Sequence, residues 1–242
     1  MILKLLSINL WNYNHFEDRF QKIISFIKET KPDVIALQEV RDDSRRNHVG
    51  NNQLLQLNKK IGYAYHEYFE YMDVNRVNKS LNNIYYDTTN PRVMEGLGLL
   101  SIYPIVKTYS RHLKKHKLDK YPRGILCARI KSEKTFDIFV VHYSADDLFS
   151  KLHLEETLEY ARKKFIKPII VGDFNMRKTE IAHEVASQDY VVSRDRFKYY
   201  SYPSKKETLD YILIPKEMSF KSFKCVRTAI SDHSVLLAEI VI

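Results

Sequence analysis

The chain has 242 residues, 44% hydrophobic and 29% charged, a globular balance that excludes disordered, collagen-like and low-complexity classes. Lys and Arg number 39 against 30 Asp and Glu, and the formal charge of +9 favours anionic partners such as nucleic acid or anionic lipid headgroups. Two cysteines, Cys127 and Cys225, cannot by themselves make a disulfide framework or a zinc site, and they read as small core or strand residues in a reducing compartment. No run approaches the roughly 18 apolar residues of a membrane span. Residues 1–10 hold Lys4, Ser7 and Asn9 without a small-residue cleavage site, so no signal peptide and a cytoplasmic protein are expected.

With no internal repeat and no linker-like stretch, one domain over 1–242 is expected. Residues 2–9 read as a strand. Asn14 with Glu17 forms a capping-box-like start to a helix whose apolar face is Phe16, Phe20, Ile23, Ile24 and Ile27, and which ends at Lys31-Pro32. The continuous apolar run 34–37 suits a strand buried on both faces. Residues 51–61 look helical, 63–71 alternate as a half-buried strand does, and 72–92 are polar and Asn-rich, which reads as a long loop. Strands are expected at 97–101, 105–109, 124–130 and 135–142. A helix opened by Asp146 or Asp147 runs to Phe165, with Leu148, Leu152, Leu158, Ala161 and Phe165 inward. A buried strand at 168–171, a short helix at 180–186 and strands at 209–214, 220–227 and 234–242 complete the chain. Strands dominate, which suggests two sheets packed face to face with helices outside.

Polar residues recur where the hydrophobic strands stop: Asn9, Gln38-Glu39, Glu95, His142, Asp173 with Asn175, Asp210, and Asp232-His233. A single Asp or Asn in such a place is ordinarily a turn or cap residue. So many together point to a shared cleft, because loops on a rigid scaffold carry sites. Carboxylates and carboxamides without cysteine suit a hard cation such as Mg²⁺, with Mn²⁺ able to substitute. Two histidines with acidic residues to orient them suit acid–base work. Together with the basic charge, these features point to hydrolysis of a phosphate ester.

The residues resemble the endonuclease/exonuclease/phosphatase superfamily, which includes pancreatic-type deoxyribonucleases, apurinic endonucleases, inositol polyphosphate 5-phosphatases, neutral sphingomyelinases and deadenylases. The resemblance runs in order through Ser7-Ile8-Asn9-Leu10-Trp11, Leu37-Gln38-Glu39-Val40, Glu95-Gly96-Leu97-Gly98 and Val141-His142-Tyr143. It continues through Gly172-Asp173-Phe174-Asn175, Leu209-Asp210-Tyr211-Ile212 and Ser231-Asp232-His233. It implies an α/β fold, a four-layered sandwich of two mainly antiparallel sheets flanked by helices. It also implies that Glu39 is the principal metal carboxylate, with Asn9 and Asp232 contributing through oxygen or water. Asp173 and Asn175 would position the attacking water and the phosphate. His233, oriented by Asp210, would be base or electrophile, and His142 would be the second histidine with Glu95 as its partner. Arg123 would contact phosphate. Trp11 and His142 stand where apurinic endonucleases typically carry other residues, so abasic-site specificity is disfavoured.

The run Arg111-His112-Leu113-Lys114-Lys115-His116-Lys117 reads as a solvated loop or as a phosphate-binding edge, with Lys114, Lys115 and Lys117 as the candidate contacts. Arg45, Arg46 and His48 follow Glu39 closely enough to reach substrate. The aromatic stretches 63–71 and 197–202 and Trp11 read as packing. The expected activity is that of a Mg²⁺-dependent phosphodiesterase hydrolysing nucleic acid, monomeric by default. The alternative is a phosphatase or phospholipase C-type hydrolase of inositol phosphates or sphingomyelin-like headgroups, and a third reading is a non-catalytic nucleic-acid-binding module.

Overall fold

A computed structural model describes residues 1–46, 52–80, 92–165 and 167–242. The chain runs β1 (Ile2–Asn9), α1 (Phe16–Thr30), β2 (Val34–Asp43), α2 (Gln53–Ile61), β3 (Tyr65–Asp73), α3 (Val74–Ser80) and β4 (Val93–Ser101). It continues β5 (Ile105–His112), β6 (Gly124–Lys131), β7 (Thr135–His142), α4 (Asp147–Lys164), β8 (Ile169–Asp173) and α5 (Thr179–Ala186). Last come β9 (Tyr190–Val192), α6 (Ser193–Arg196), β10 (Asp210–Pro215), β11 (Ser219–Val226) and β12 (Val235–Val241). The strands form two six-stranded sheets, ordered β11-β12-β1-β2-β4-β3 and β5-β6-β7-β8-β10-β9. Each sheet contains a parallel pair, β1 with β2 and β7 with β8, among antiparallel neighbours.

Layering follows from the two-residue period of the strands. In β1, Leu3 and Leu5 face the second sheet and pack with Leu126, Ala128, Val140, Val171 and Ile212. Leu6 and Ile8 face the other way, against Phe16, Ile23 and Ile27 of α1 and Leu54 and Leu57 of α2. The outer face of the second sheet is covered in the same manner by Leu154, Leu158 and Ala161 of α4 and Ala182 of α5. The central strands of both sheets are therefore buried on both faces, which is a four-layered α/β sandwich.

Helix α1 is preceded by His15 in a left-handed conformation with no side-chain cap, so Asn14 and Glu17 make no capping box. Phe20 is only half-buried on that helix. Within 72–92, Met72 and Asp73 belong to β3 and 74–80 to α3, while 81–91 lie outside the described residues. The inward face of α4 is Ser150, His153, Leu154, Thr157, Leu158, Tyr160 and Ala161, whereas Leu148, in the first turn, is exposed and Leu152 only half-buried. Arg111 and His112 extend β5 and are not loop. Among the described residues no helix is long and apolar enough to cross a membrane.

Candidate active site

The two sheets meet at one end in a cluster of buried polar side chains. Asn9 closes β1, His142 closes β7 and Asp173 closes β8. Asp210 opens β10, and Asp232 and His233 stand in the turn before β12. Glu39 and Glu95 differ from the expected strand-end placement, because both lie within strands. Glu39 enters the cluster through a bulge: Leu37 pairs with Gly98 and Val40 with Gly96, so two residues of β2 oppose one of β4. Its φ of 53° turns the side chain out of the alternation. Asp173 follows Gly172, whose φ is 145°, and a Cβ there would stand 2.1 Å from the Val141 carbonyl oxygen. Only glycine lets β8 approach β7 so closely.

Asn9 joins the sheets chemically. Its Nδ2 donates to Glu39 Oε1 and to Asp173 Oδ2, each at 3.1 Å, and its Oδ1 accepts from the Trp11 N–H at 2.9 Å. Asp173 Oδ1 accepts from the Asn175 N–H at 2.8 Å, and the Asn175 amide donates to Tyr143 O at 3.2 Å. Burial, with Asp210 and Glu39 nearby, raises the Asp173 carboxyl to about 7 against the opposing pull of His233. Burial and Glu95 likewise raise Glu39.

The histidines have opposite characters. His233 Nδ1 is 2.8 Å from Asp210 Oδ2, and its Nε2 is 4.0 Å from Asp173 Oδ2. Burial disfavours its charge, but Asp210, Asp173 and Asp232 outweigh that and hold it well above the usual imidazole range. His142 lies well below that range, through burial and then through Arg123 and His233. Its Nδ1 meets the Tyr71 hydroxyl at 2.8 Å, and that hydroxyl donates to Glu95 Oε1 at 2.9 Å. The phenol has one proton, so His142 donates from Nδ1–H to Tyr71 and leaves Nε2 as acceptor. Arg123 Nη1 lies 2.9 Å from that Nε2 and 3.0 Å from Nδ1. With His142 neutral, its 3.6 Å approach to Asp173 is not an ion pair.

Glu95 reaches His142 through Tyr71, which stands between them, and Arg41 donates to Glu95 Oε2 at 2.7 Å. Arg41, Tyr71 and Arg19 were missed. Arg19 is 4% exposed and donates to the carbonyl oxygens of Leu10, Asn12, Asn14 and Ile230. It thus ties the loop after Asn9 to the turn carrying Asp232 and His233. A polar residue on an otherwise apolar helix face was the available signal. Tyr71 had none, since alternation in β3 assigns it to packing. Tyr202, from the other stretch read as packing, has its ring 5.0 Å from that of His233.

The remaining expected residues lie further out. Asp232 is half-buried and accepts from Ser231 Oγ at 3.3 Å. Lys114 and Lys117 are exposed, and Lys115 donates to Asp119 O at 2.8 Å. Arg45 pairs with Asp43, Trp11 packs half-buried beneath the Arg19 guanidinium, and His48 lies outside the described residues.

Two groupings have ligand atoms within 4.8 Å of one another: Glu39, His142 and Asp173, and Asp173, Asp210 and His233. The donor set fits a hard divalent cation, because oxygen ligands predominate and the buried Glu39 and Asp173 are raised by burial and by neighbouring carboxylates despite His233. Beside them lies a hollow of about 360 Å³ whose lining includes Glu39, Glu95, Arg41, Arg123, Val77 and Tyr121.

No curated protein matches the chain. Solved structures do. An endonuclease/exonuclease/phosphatase from Beutenbergia cavernae superposes with a TM-score of 0.79 at 15% identity, over 99% of this chain and 71% of that one. A mannosyl-6-phosphatase from Bacteroides thetaiotaomicron gives 0.72 at 17% identity, over 99% and 100%. D. rerio TDP2 complexed with single-strand DNA product gives 0.71 at 15% identity, over 100% and 99%. At these identities the likeness shows the fold. The model of the Endonuclease/Exonuclease/phosphatase family matches residues 6–233, a span holding every polar residue of the cluster, and the chain belongs to that family of metal-dependent phosphoesterases.

Proposed function

We propose that the protein is a divalent-metal-dependent phosphodiesterase that hydrolyses nucleic acid. The observation that carries hydrolysis is the pairing of His233 with Asp210 at 2.8 Å beside Asp173. Glu39, Asp173 and Asn9 would hold the ion, Mg²⁺ by their hard oxygen chemistry, and the ion would supply charge neutralisation on the phosphoryl oxygens. Asp173, fixed by the Asn9 amide and the Asn175 N–H, would orient the attacking water beside the ion. His233, kept protonated by Asp210, donates a hydrogen bond to a phosphoryl oxygen, and Asn175 holds the Asp173 carboxylate in orientation through its backbone N–H. Arg123, oriented by His142, meets the phosphate as a fixed cation. The +9 charge and the likeness in fold to a protein bound to single-strand DNA product support nucleic acid as the substrate.

A phosphatase or phospholipase C-type reading, on inositol phosphates or phospholipid headgroups, is favoured by a different observation. The hollow of about 360 Å³ beside Glu39 is of a size for a small phosphate ester, and a sugar phosphatase shares the fold. Incubating the protein with Mg²⁺ and single-stranded DNA, duplex DNA, RNA, inositol phosphates or sphingomyelin decides between them. Cleavage of nucleic acid alone is the expected result, and cleavage of small esters alone overturns it.

A further inference from the structure

A second hollow, of about 420 Å³, adjoins the first at Val77 and is lined by Tyr71, Asp73, Arg76, Val77, His112, Lys115, Lys120 and Pro122. The same two chain segments wall both. Val77 lines each; Tyr121 and Arg123 line the first, and Pro122 between them lines the second. Tyr71 belongs to the second hollow by its lining and to the catalytic cluster by its hydroxyl.

The chemistry of this hollow is cationic. Arg76, Lys115 and Lys120 oppose one carboxylate, Asp73, whose Oδ1 is engaged by the Arg76 backbone N–H at 3.1 Å. Among the described residues none of the three cations makes an ion pair, although Lys115 donates to the Asp119 carbonyl. Exposed cations with their charge uncompensated and gathered around one concavity from β3–α3 and from the segment between β5 and β6 form an anion-binding surface. Lys114 and Lys117 are not part of its lining.

We propose that this hollow is a second phosphate subsite, which takes a non-scissile phosphate of a substrate whose scissile phosphate lies at Glu39 and Asp173. The inference rests on the phosphoesterase reading and narrows it: substrates with two or more phosphates are preferred over those with one. The phosphate can belong to a nucleic-acid backbone or to a small polyphosphorylated alcohol, and the test separates these.

The variant is Arg76→Ala/Lys120→Ala, chosen because both side chains are exposed and Lys115 supports a loop. A thermal melt within about 2 °C of the unmodified protein shows that it folds. Steady-state kinetics with Mg²⁺ use a short single-stranded oligonucleotide, an inositol bisphosphate and bis(p-nitrophenyl) phosphate, which has one phosphate. The expected result is a KM raised about tenfold or more for one multiphosphate substrate at similar kcat, with the chromogenic ester within about twofold. Which substrate loses affinity identifies the source of the phosphate. Equal losses on all three substrates overturn the subsite, as does no loss on any. Oligonucleotide binding in chelator, across a salt titration, is measured separately, and two lost contacts should lower the log–log slope by about 1.4. If nucleic acid is bound with that change but never cut, the nuclease reading falls and the subsite stands. If it is cut with KM and slope unchanged, the subsite falls and the nuclease reading stands.

Discussion

His142 and His233 close the same cleft, are both almost wholly buried, and end in opposite states. The His233 side of the cleft is anionic: Asp210 lies against the ring, with Asp173 and Asp232 nearby, and the imidazole keeps its proton. The His142 side presents Arg123 to the buried ring, so the ring stays neutral, and the phenol of Tyr71 stands between His142 and Glu95. Burial alone would discharge both. The sign of the nearest charge decides which one keeps its proton, and it leaves one histidine as a cationic donor and the other as a neutral prop for a cation.

The comparison breaks most severely at Asp210. Asp210→Asn and His233→Ala should each lower kcat by about 10²–10⁴-fold, and the double variant should be little worse than either, because the carboxylate acts through the same ring. Strictly multiplicative losses in kinetics at saturating Mg²⁺ would show that the two act separately. Next in size, Glu39→Gln should raise the metal concentration for half-maximal activity by about 10–100-fold while leaving the far-ultraviolet circular dichroism unchanged. An unchanged metal titration would remove Glu39 from the ion.

On the other side, Tyr71→Phe leaves the His142 Nδ1–H and Glu95 Oε1 without their shared partner. The cost of about 1–3 kcal/mol should appear as a kcat/KM loss of about 5–150-fold, with the pH profile keeping its midpoints, since neutral His142 does not titrate in the working range. A displaced limb in the kcat/KM profile would give His142 a protonic role.

The smallest effect concerns stability without metal. The Asp173 carboxyl rises from 3.8 to about 7 on folding, so the folded chain holds that proton more tightly than the unfolded chain. Its contribution is most favourable below about pH 4 and is lost as pH rises through the folded value near 7. Asp173→Asn should therefore raise the metal-free Tm at pH 8 by about 3–6 °C and by less at pH 4, although activity is lost. Mg²⁺ should stabilise the unmodified protein most at the higher pH. Differential scanning calorimetry with and without chelator at the two pH values tests both statements, and a variant melting lower than its parent at pH 8 would refute the first.

Much of this was legible in the chain. Apolar runs ending in Asn9, His142 and Asp173 marked where strands stop, and the cleft is built from those ends. The bulge at Glu39 could not be read, because a two-against-one register exists only once β2 is paired with β4. The caps show the same limit: Asn52 accepts from the Leu54 and Leu55 N–H groups as a cap should, whereas the start of α1 is decided by the loop that Arg19 holds.

By itself the sequence determined which residue types stand at strand ends, and hence hard-ligand, acid–base chemistry on a basic protein, because periodicity and residue chemistry are local properties. The tertiary structure alone decided that Asp173 is central, that burial and Arg123 hold His142 neutral, and that Arg76 and Lys120 join Lys115 around one hollow. Those facts depend on distances between segments far apart in the chain. Charge states in a buried cluster follow from such distances, and only the packing of the two sheets sets them.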